Sequence, residues 1–284
     1  MRLGLAQYRS GGSPGESLER LLRLLRGARV EADLIILPEY ADLDPTMPGL
    51  RGAAVEPGGS PFVEGLVGLA YEYGAYILAG VAERRGGCVY SSVVLAEPGG
   101  GWRIVYRKTV LFDAFGYRES SILCPGRQPP PVLELPRLLL RVGVAVCYEL
   151  RFPELARSLA LRGAGLLAVP AAWYQGPLKE EQLVVSARSR ALENTFYVAV
   201  ASQAGEPFTG RSVVADPLGA ARLDLGASQG YGEVELDPGL LEEVRERLPV
   251  LRDSRRVLRL LGWLGDAEHG EQEPGGDAVG EAQG

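Results

Sequence analysis

The chain has 284 residues, 46% of them hydrophobic, with 38 glycines and 20 prolines, which is the composition of a globular protein of one large or two ordinary domains. Its formal net charge of −6 is local: Asp266, Glu268, Glu271, Glu273, Asp277 and Glu281 fall in the last 20 residues, and removing these six from 36 acidic residues leaves a balance with the 30 basic ones. A neutral body excludes a nucleic-acid partner that needs a basic patch, and the absence of an uncharged apolar run of about 18 residues predicts no membrane segment.

Leu3 to Tyr8 reads as a first strand, and Glu16 to Val30, with Leu18, Leu21, Leu22 and Leu25 on one face, as an amphipathic helix. Asp33 to Tyr40 reads as a buried strand ending in Pro38-Glu39. A second helix is expected from Ser60-Pro61 through Tyr73, with Ser as N-cap and Pro in the first turn. Strands follow over Ala75–Val81, Val89–Ala96 and Trp102–Arg107. Lys108 to Pro136 is rich in Gly and Pro and is expected to be a long irregular segment of functional rather than disordered character, because it carries aromatic residues.

The order then repeats. A strand over 139–147 precedes a helix over 152–162, a strand over Gly165–Pro170 and a helix over Leu178–Asn194. Strands are predicted at 196–202, 211–215, 220–225 and 231–236. Two halves with the pattern β-α-β-α-β-β-β predict an α/β fold: a four-layer α-β-β-α sandwich of two mixed sheets with helices outside. The domain is expected to span 1–264. Its C-terminal arm, 237–264, exposes Leu258, Leu260, Leu261, Trp263 and Leu264 and is a candidate contact for a homodimer or higher homo-oligomer. Residues 265–284 are expected to be a disordered acidic tail.

Cys88, Cys124 and Cys147 are an odd number without a CxxC pair, so neither a disulfide framework nor a zinc site is expected, and a reducing cytoplasm fits. The only histidine, His269, lies in the tail, which removes Cys-His and Ser-His-Asp chemistry from the folded body. Lys108 and Lys179 are the only lysines, which suggests that an ammonium is needed where the chain otherwise uses arginine. On its own stretch Cys147 reads slightly better as a buried core residue than as a nucleophile. Yet Glu39, Lys108 and Cys147 each follow a strand. A desolvated Glu39 can serve as base, and Lys108 can lower the thiol's pKa and stabilise an oxyanion.

Leu37-Pro38-Glu39, Tyr106-Arg107-Lys108 and Cys147-Tyr148-Glu149-Leu150-Arg151-Phe152-Pro153-Glu154 together resemble the three ordered signature motifs of the nitrilase superfamily of carbon–nitrogen hydrolases. The resemblance covers about residues 1–250 and extends to Tyr117-Arg118-Glu119-Ser120 and Pro170-Ala171-Ala172-Trp173. It implies the four-layer sandwich, assembly into oligomers, and a site without metal or cofactor. In that site Glu39 is the general base, Lys108 the oxyanion stabiliser, Cys147 the nucleophile and Glu119 the residue that holds the lysine. The N–H of Tyr148 would complete the oxyanion hole. Val110 departs from the histidine that many members carry there.

Cys147-Tyr148-Glu149 resembles the amidase branch more than the Cys-Trp-Glu of true nitrilases, which implies hydrolysis of a small non-peptide amide to carboxylate and ammonia. Hydrolysis of an N-carbamoyl amide or a nitrile, and a non-catalytic binding or assembly role, are the alternatives. A redox-sensing thiol is disfavoured for want of an obvious resolving cysteine. Arg151 can hold a substrate carboxylate, although an ion pair with Glu149 or Glu154 is the stronger reading. Tyr117, Trp173 and Tyr174 are candidate pocket walls, with exposed loop or ordinary core as equal alternatives. Cys88 and Cys124 read as structural.

Overall fold

The computed structural model describes residues 1–263. Leu264 and the acidic segment 265–284, with His269 and the expected disorder there, lie outside the described residues.

Twelve strands are grouped into two large sheets. The first contains β1 (Arg2–Gln7), β2 (Leu34–Ile36), β3 (Tyr76–Arg85), β4 (Cys88–Ala96) and β5 (Trp102–Arg107). The second contains β6 (Val132–Leu133), β7 (Val142–Val144), β8 (Leu166–Ala171), β9 (Tyr197–Ser202), β10 (Val213–Ala215) and β11 (Ala221–Asp224). The last strand, β12 (Gly230–Glu235), leaves the second half and pairs antiparallel with β1, giving the order β12-β1-β2-β3-β4-β5 in one sheet and β11-β10-β9-β8-β7-β6 in the other. The predicted halves are thus stitched together by an exchange of one strand. β6, inside the segment expected to be irregular, is a further addition, two residues long and preceded by three prolines.

Alternation along each strand explains the layers. Leu3, Leu5, Leu34, Ile36, Leu78, Val93 and Leu95 point from the first sheet into a core shared with Val142, Val144, Leu166 and Ala168 of the second. Their neighbours Ala6, Ile35, Ile77, Ala79 and Val94 face outward. Against them pack Leu21 and Leu25 of α1 (Pro14–Arg26) and Phe62, Val63 and Leu66 of α2 (Pro61–Tyr73). The second sheet is covered by α3 (Pro153–Leu161) and α4 (Lys179–Asn194), whose Leu159, Leu183 and Ala187 belong to the shared core. The four-layer α-β-β-α sandwich is therefore the observed fold.

Within 237–263 the chain forms α5 (Pro238–Arg247) and α6 (Val250–Leu260). Leu258 is half-buried, while Leu260, Leu261 and Trp263 are exposed. No helix among the described residues is long and apolar enough to cross a membrane.

Two expectations are corrected. Cys88 and Cys124 form a disulfide, with Cα atoms 5.8 Å apart across 36 positions. The Cys124 N–H donates to the carbonyl of Val89 at 2.8 Å, so the long loop is laid along β4 and its cysteine is brought beside Cys88. No local spacing encodes that contact. The strand expected to run to Cys147 stops at Val144, and Cys147 opens a tight 3₁₀ turn, Cys147–Arg151, with φ of 47°.

Candidate active site

Glu39 lies just past β2, where the chain turns sharply through Tyr40 at φ 53°. This turn sits against β3 because residue 80 is glycine: a Cβ there would stand 2.5 Å from Glu39 Cα and 2.8 Å from the Pro38 carbonyl. The Gly80 N–H donates to Pro38 O at 3.0 Å, and Ala41 N–H to Gly80 O at 2.7 Å. From the second sheet's side, Gln203 Nε2 donates to the carbonyls of Glu39 (2.9 Å) and Tyr40 (3.0 Å). The Glu39 backbone is thereby held from both sheets.

Lys108 is the first residue after β5, and its carbonyl accepts the N–H of Gly126 at 2.7 Å. Gly126 is again an obligatory close approach, since a Cβ would meet the Arg107 carbonyl oxygen at 2.1 Å. Next to it, Arg107 makes a two-pronged pair with the buried Glu83, both contacts 2.6 Å, which fixes the end of the strand. The Lys108 ammonium, 2% exposed as a residue, donates at 3.0 Å to Glu39 Oε1 and at 3.0 Å to Glu119 Oε1.

Glu119 is held in turn by the Tyr40 hydroxyl at 2.8 Å and by the Phe112 N–H at 2.6 Å. Ser91 Oγ donates to Glu39 Oε1 at 2.8 Å, and the Ala172 N–H to Glu39 Oε2 at 3.2 Å. The result is a buried chain Ser91–Glu39–Lys108–Glu119–Tyr40, in which two carboxylates share one ammonium. Cys147 completes it, its thiol facing the Glu39 carboxylate, Lys108 and the Ala172 N–H.

Burial sets the electrostatics. Desolvation lifts Glu39 above the ordinary carboxylate range despite the opposing pull of Lys108. Desolvation also works against the charge on Lys108, but Glu39 and Glu119 outweigh it and hold the group well above the usual lysine range. The Cys147 thiol is pushed well above its ordinary value, first by burial and then by the charge of Glu39, with Lys108 only partly offsetting them. The expected depression of the thiol by Lys108 is therefore corrected.

Glu149 has an unexpected place. Its Oε1 accepts from the Tyr106 hydroxyl (2.7 Å), Thr109 N–H (2.8 Å), Thr109 Oγ1 (2.9 Å) and Val110 N–H (3.2 Å), while Oε2 accepts from Val146 N–H (2.8 Å). One buried carboxylate thus joins the loop after Lys108 to the turn that carries Cys147. It is not free to pair with Arg151, and no ion pair joins Arg151 to Glu149 or Glu154 among the described residues; the expected structural ion pair is corrected.

All eight predicted site residues, Glu39, Lys108, Glu119, Cys147, Tyr148, Arg151, Tyr117 and Trp173, line one pocket. Tyr174, Tyr40, Phe112 and Lys179 line it too. Its mouth is edged by a small hairpin, Asp113–Ala114 paired with Tyr117–Arg118, whose turn places Phe115 (φ 54°) in solvent. Ser91, Ala172, Gln203 and the role of Glu149 escape sequence reading. Ser91 and Ser92 left one signal, a polar pair inside an otherwise apolar strand.

Residues 2–246 match the carbon–nitrogen hydrolase family. The chain belongs to that family. It is an amidase-like hydrolase of the nitrilase superfamily, acting on carbon–nitrogen bonds. A hydrolase of Mycobacterium tuberculosis is 37% identical over 278 residues, covering 92% of this chain and 98% of that protein. An omega-amidase of Xenopus tropicalis is 32% identical over 272 residues, covering 90% and 96%. Among solved structures, a CN-hydrolase superfamily protein of Xanthomonas campestris with an arsenic adduct in its active site superposes with a TM-score of 0.80 at 26% identity, covering 89% of this chain and 96% of that one. An amidase of Nesterenkonia sp. AN1 in complex with acrylamide gives 0.76 at 26% identity, covering 93% and 97%.

Proposed function

We propose that this hydrolase converts a small non-peptide amide to carboxylate and ammonia through a thioester on Cys147. The observation that carries the proposal is the buried chain Glu39–Lys108–Glu119 facing the only free thiol among the described residues. As Cys147 Sγ attacks the amide carbon, its proton passes to Glu39. Burial raises the proton affinity of both groups, so transfer accompanies carbon–sulfur bond formation and no resting thiolate is needed. The tetrahedral oxyanion is stabilised by the Lys108 ammonium and the Tyr148 N–H. Glu39 returns the proton to nitrogen, the C–N bond breaks and ammonia leaves. Water, deprotonated by Glu39, then cleaves the thioester, and the thiol recovers its proton.

Glu119 keeps Lys108 charged and aimed, since an isolated buried ammonium would be strongly disfavoured. Arg151, Tyr117 and Trp173 contact the rest of the substrate. The catalytic unit is proposed to span 1–264 and to assemble into a homodimer or higher oligomer through the arm 237–264, where Val257, Leu260, Leu261 and Trp263 are exposed. A cytoplasmic setting is kept in the proposal because Cys147 must stay reduced; the Cys88–Cys124 disulfide is the feature that argues for oxidising surroundings.

The test is ammonia release from a panel of short amides, dicarboxylic monoamides, N-carbamoyl amino acids and nitriles. Wild type is expected to turn over amides, Cys147→Ala to be inactive, and Lys108→Ala to fall by about 100- to 1,000-fold. Equal release by wild type and Cys147→Ala sinks the mechanism. No release from any compound by folded wild type sinks the amidase reading in favour of a binding module.

A further inference from the structure

Between β5 and β6 the chain carries Lys108, Glu119 and two pocket walls, Phe112 and Tyr117. Its regular structure there is limited to the Asp113–Ala114/Tyr117–Arg118 hairpin and the 3₁₀ turn Glu119–Ser121, neither of which joins a large sheet. What fixes this loop is the stretch after Glu119, which returns to β4. The Ile122 and Leu123 N–H groups donate to the Glu119 carbonyl, both at 2.9 Å, and Leu123 is buried in one cluster with Tyr40, Val89 and Ala172. Cys124 comes next, crosslinked to Cys88, and two residues on the Gly126 N–H supports the Lys108 carbonyl at 2.7 Å.

On the other side of the crosslink, Cys88 opens β4 three residues before Ser91. The Ser91 hydroxyl donates to Glu39, and its carbonyl accepts the Lys108 N–H at 2.9 Å. A single covalent bond thus ties the strand that supports Glu39 to the loop that brings Glu119 to Lys108. The backbone bonds beside it, Cys124 N–H to Val89 O and Lys108 N–H to Ser91 O, open and close with local fluctuation; the crosslink does not. Exposure separates the three cysteines. Cys88 and Cys124 are half-buried, within reach of a small dithiol, whereas Cys147 is 8% exposed and its thiol is held well above the usual range by burial and the charge of Glu39, which makes it a poor partner for exchange.

We propose that the Cys88–Cys124 disulfide is a reversible redox latch on the Lys108–Glu119 pair, holding the pair in place when oxidised and releasing the loop from β4, with loss of rate, when reduced. In the exchange one thiolate of a dithiol attacks a sulfur of the bond to give a mixed disulfide, and the second thiol displaces the remaining protein sulfur. Two electrons and two protons pass to the protein, leaving Cys88 and Cys124 as thiols and the reductant as a disulfide. Each cysteine resolves the other on reoxidation. The working enzyme needs Cys147 reduced and Cys88–Cys124 oxidised at once, which confines it to surroundings of intermediate reducing strength. The latch rests on the amidase reading only for the rate it controls.

Hydrogen exchange and kinetics test it together, at a temperature well below the melting of either form. Wild type is equilibrated with dithiothreitol, and thiol counting by mass spectrometry gives the open fraction of the crosslink. The N–H groups of Phe112, Cys124 and Gly126 are expected to exchange about 10-fold faster or more once it is open, with β1 and β8 unchanged. Over the same range kcat on the best amide of the panel is expected to fall about 10- to 100-fold, by more than KM rises, and to recover with oxidised dithiothreitol. Cys88→Ser/Cys124→Ser, whose only thiol is Cys147, is expected to show the fast exchange and low kcat with or without reductant; reduced wild type carries the same test where this variant does not fold. Faster exchange without turnover of any amide supports the latch and removes the amidase reading alone. Unchanged exchange at the three groups on full reduction overturns the latch, as does a kcat indifferent to the opened crosslink, and either result leaves the amidase reading standing.

Discussion

Glu149 accepts the N–H of Thr109 at 2.8 Å and the hydroxyl of the same residue at 2.9 Å, although 40 positions separate the two residues. With Val146 N–H on its other oxygen, this carboxylate fixes the spacing between the Lys108 loop and the Cys147 turn. Glu149→Ala would strand several buried donors at about 1–3 kcal/mol each and is expected to unfold well below wild type. Glu149→Gln is the sharper variant. Its amide nitrogen must face a backbone or hydroxyl donor on one side, so kcat is expected to drop about 10- to 100-fold with little change in KM. Steady-state kinetics on folded protein, verified by circular dichroism, checks this; an unchanged kcat contradicts it.

Gly80 gives a second prediction. A methyl group at this position meets backbone atoms of Glu39 and Pro38, which cannot rotate away. Gly80→Ala is expected to cost about 1–3 kcal/mol and to lower kcat by more than the loss of stability explains, because the displaced atoms are those of the proposed base. Comparing urea midpoints with kcat for Gly80→Ala and for Gly74→Ala separates the two effects. Gly74 caps α2 at φ 62° with open space around it, so its variant should lose stability without losing kcat.

Much of this was legible in the sequence. Period-two and period-3.6 patterns place nearly every strand and helix, and Glu39, Lys108 and Cys147 are marked because each follows an apolar strand. What was hidden is long-range. Gly230–Glu235 reads as one more strand of its own half, and only its pairing with Arg2–Gln7 carries it to the first sheet. Arg151 has acids two and three positions away in sequence, yet the 3₁₀ turn sends Glu149 inward, so proximity in sequence misjudged its partner. The thiol's raised pKa likewise depends on burial by the opposite sheet, which no local pattern reports.

The Cys88–Cys124 bond carries a third prediction. It closes a loop that includes Lys108 and Glu119, across 36 positions. Chain entropy alone gives such a crosslink about 4 kcal/mol. The Cys88→Ser/Cys124→Ser variant, and wild type under dithiothreitol, are both expected to melt lower and to lose activity at elevated temperature before global unfolding. An identical melting curve with and without reductant would show that the bond contributes nothing to this loop.

The fourth prediction concerns Asp42, which is buried beside the Glu39 turn, accepts the Ala82 N–H at 3.0 Å and has no cationic partner among the described residues. Desolvation raises its pKa from 3.8 to about 7. The sign follows from proton linkage: the folded state binds this proton more tightly than the unfolded chain, so the favourable contribution is complete below about pH 4 and is lost as pH rises through about 7. A shift of this size corresponds to roughly 4 kcal/mol between the extremes. Asp42→Asn keeps an acceptor for Ala82 and removes the titration. It is therefore expected to lie closer to wild type near pH 5 and to exceed it by a wider margin at pH 8, where the wild-type carboxylate is charged in an apolar site. Denaturant midpoints measured at the two pH values read the difference directly. A gap between wild type and Asp42→Asn that fails to widen from pH 5 to pH 8 would place Asp42 in contact with solvent and refute the assignment.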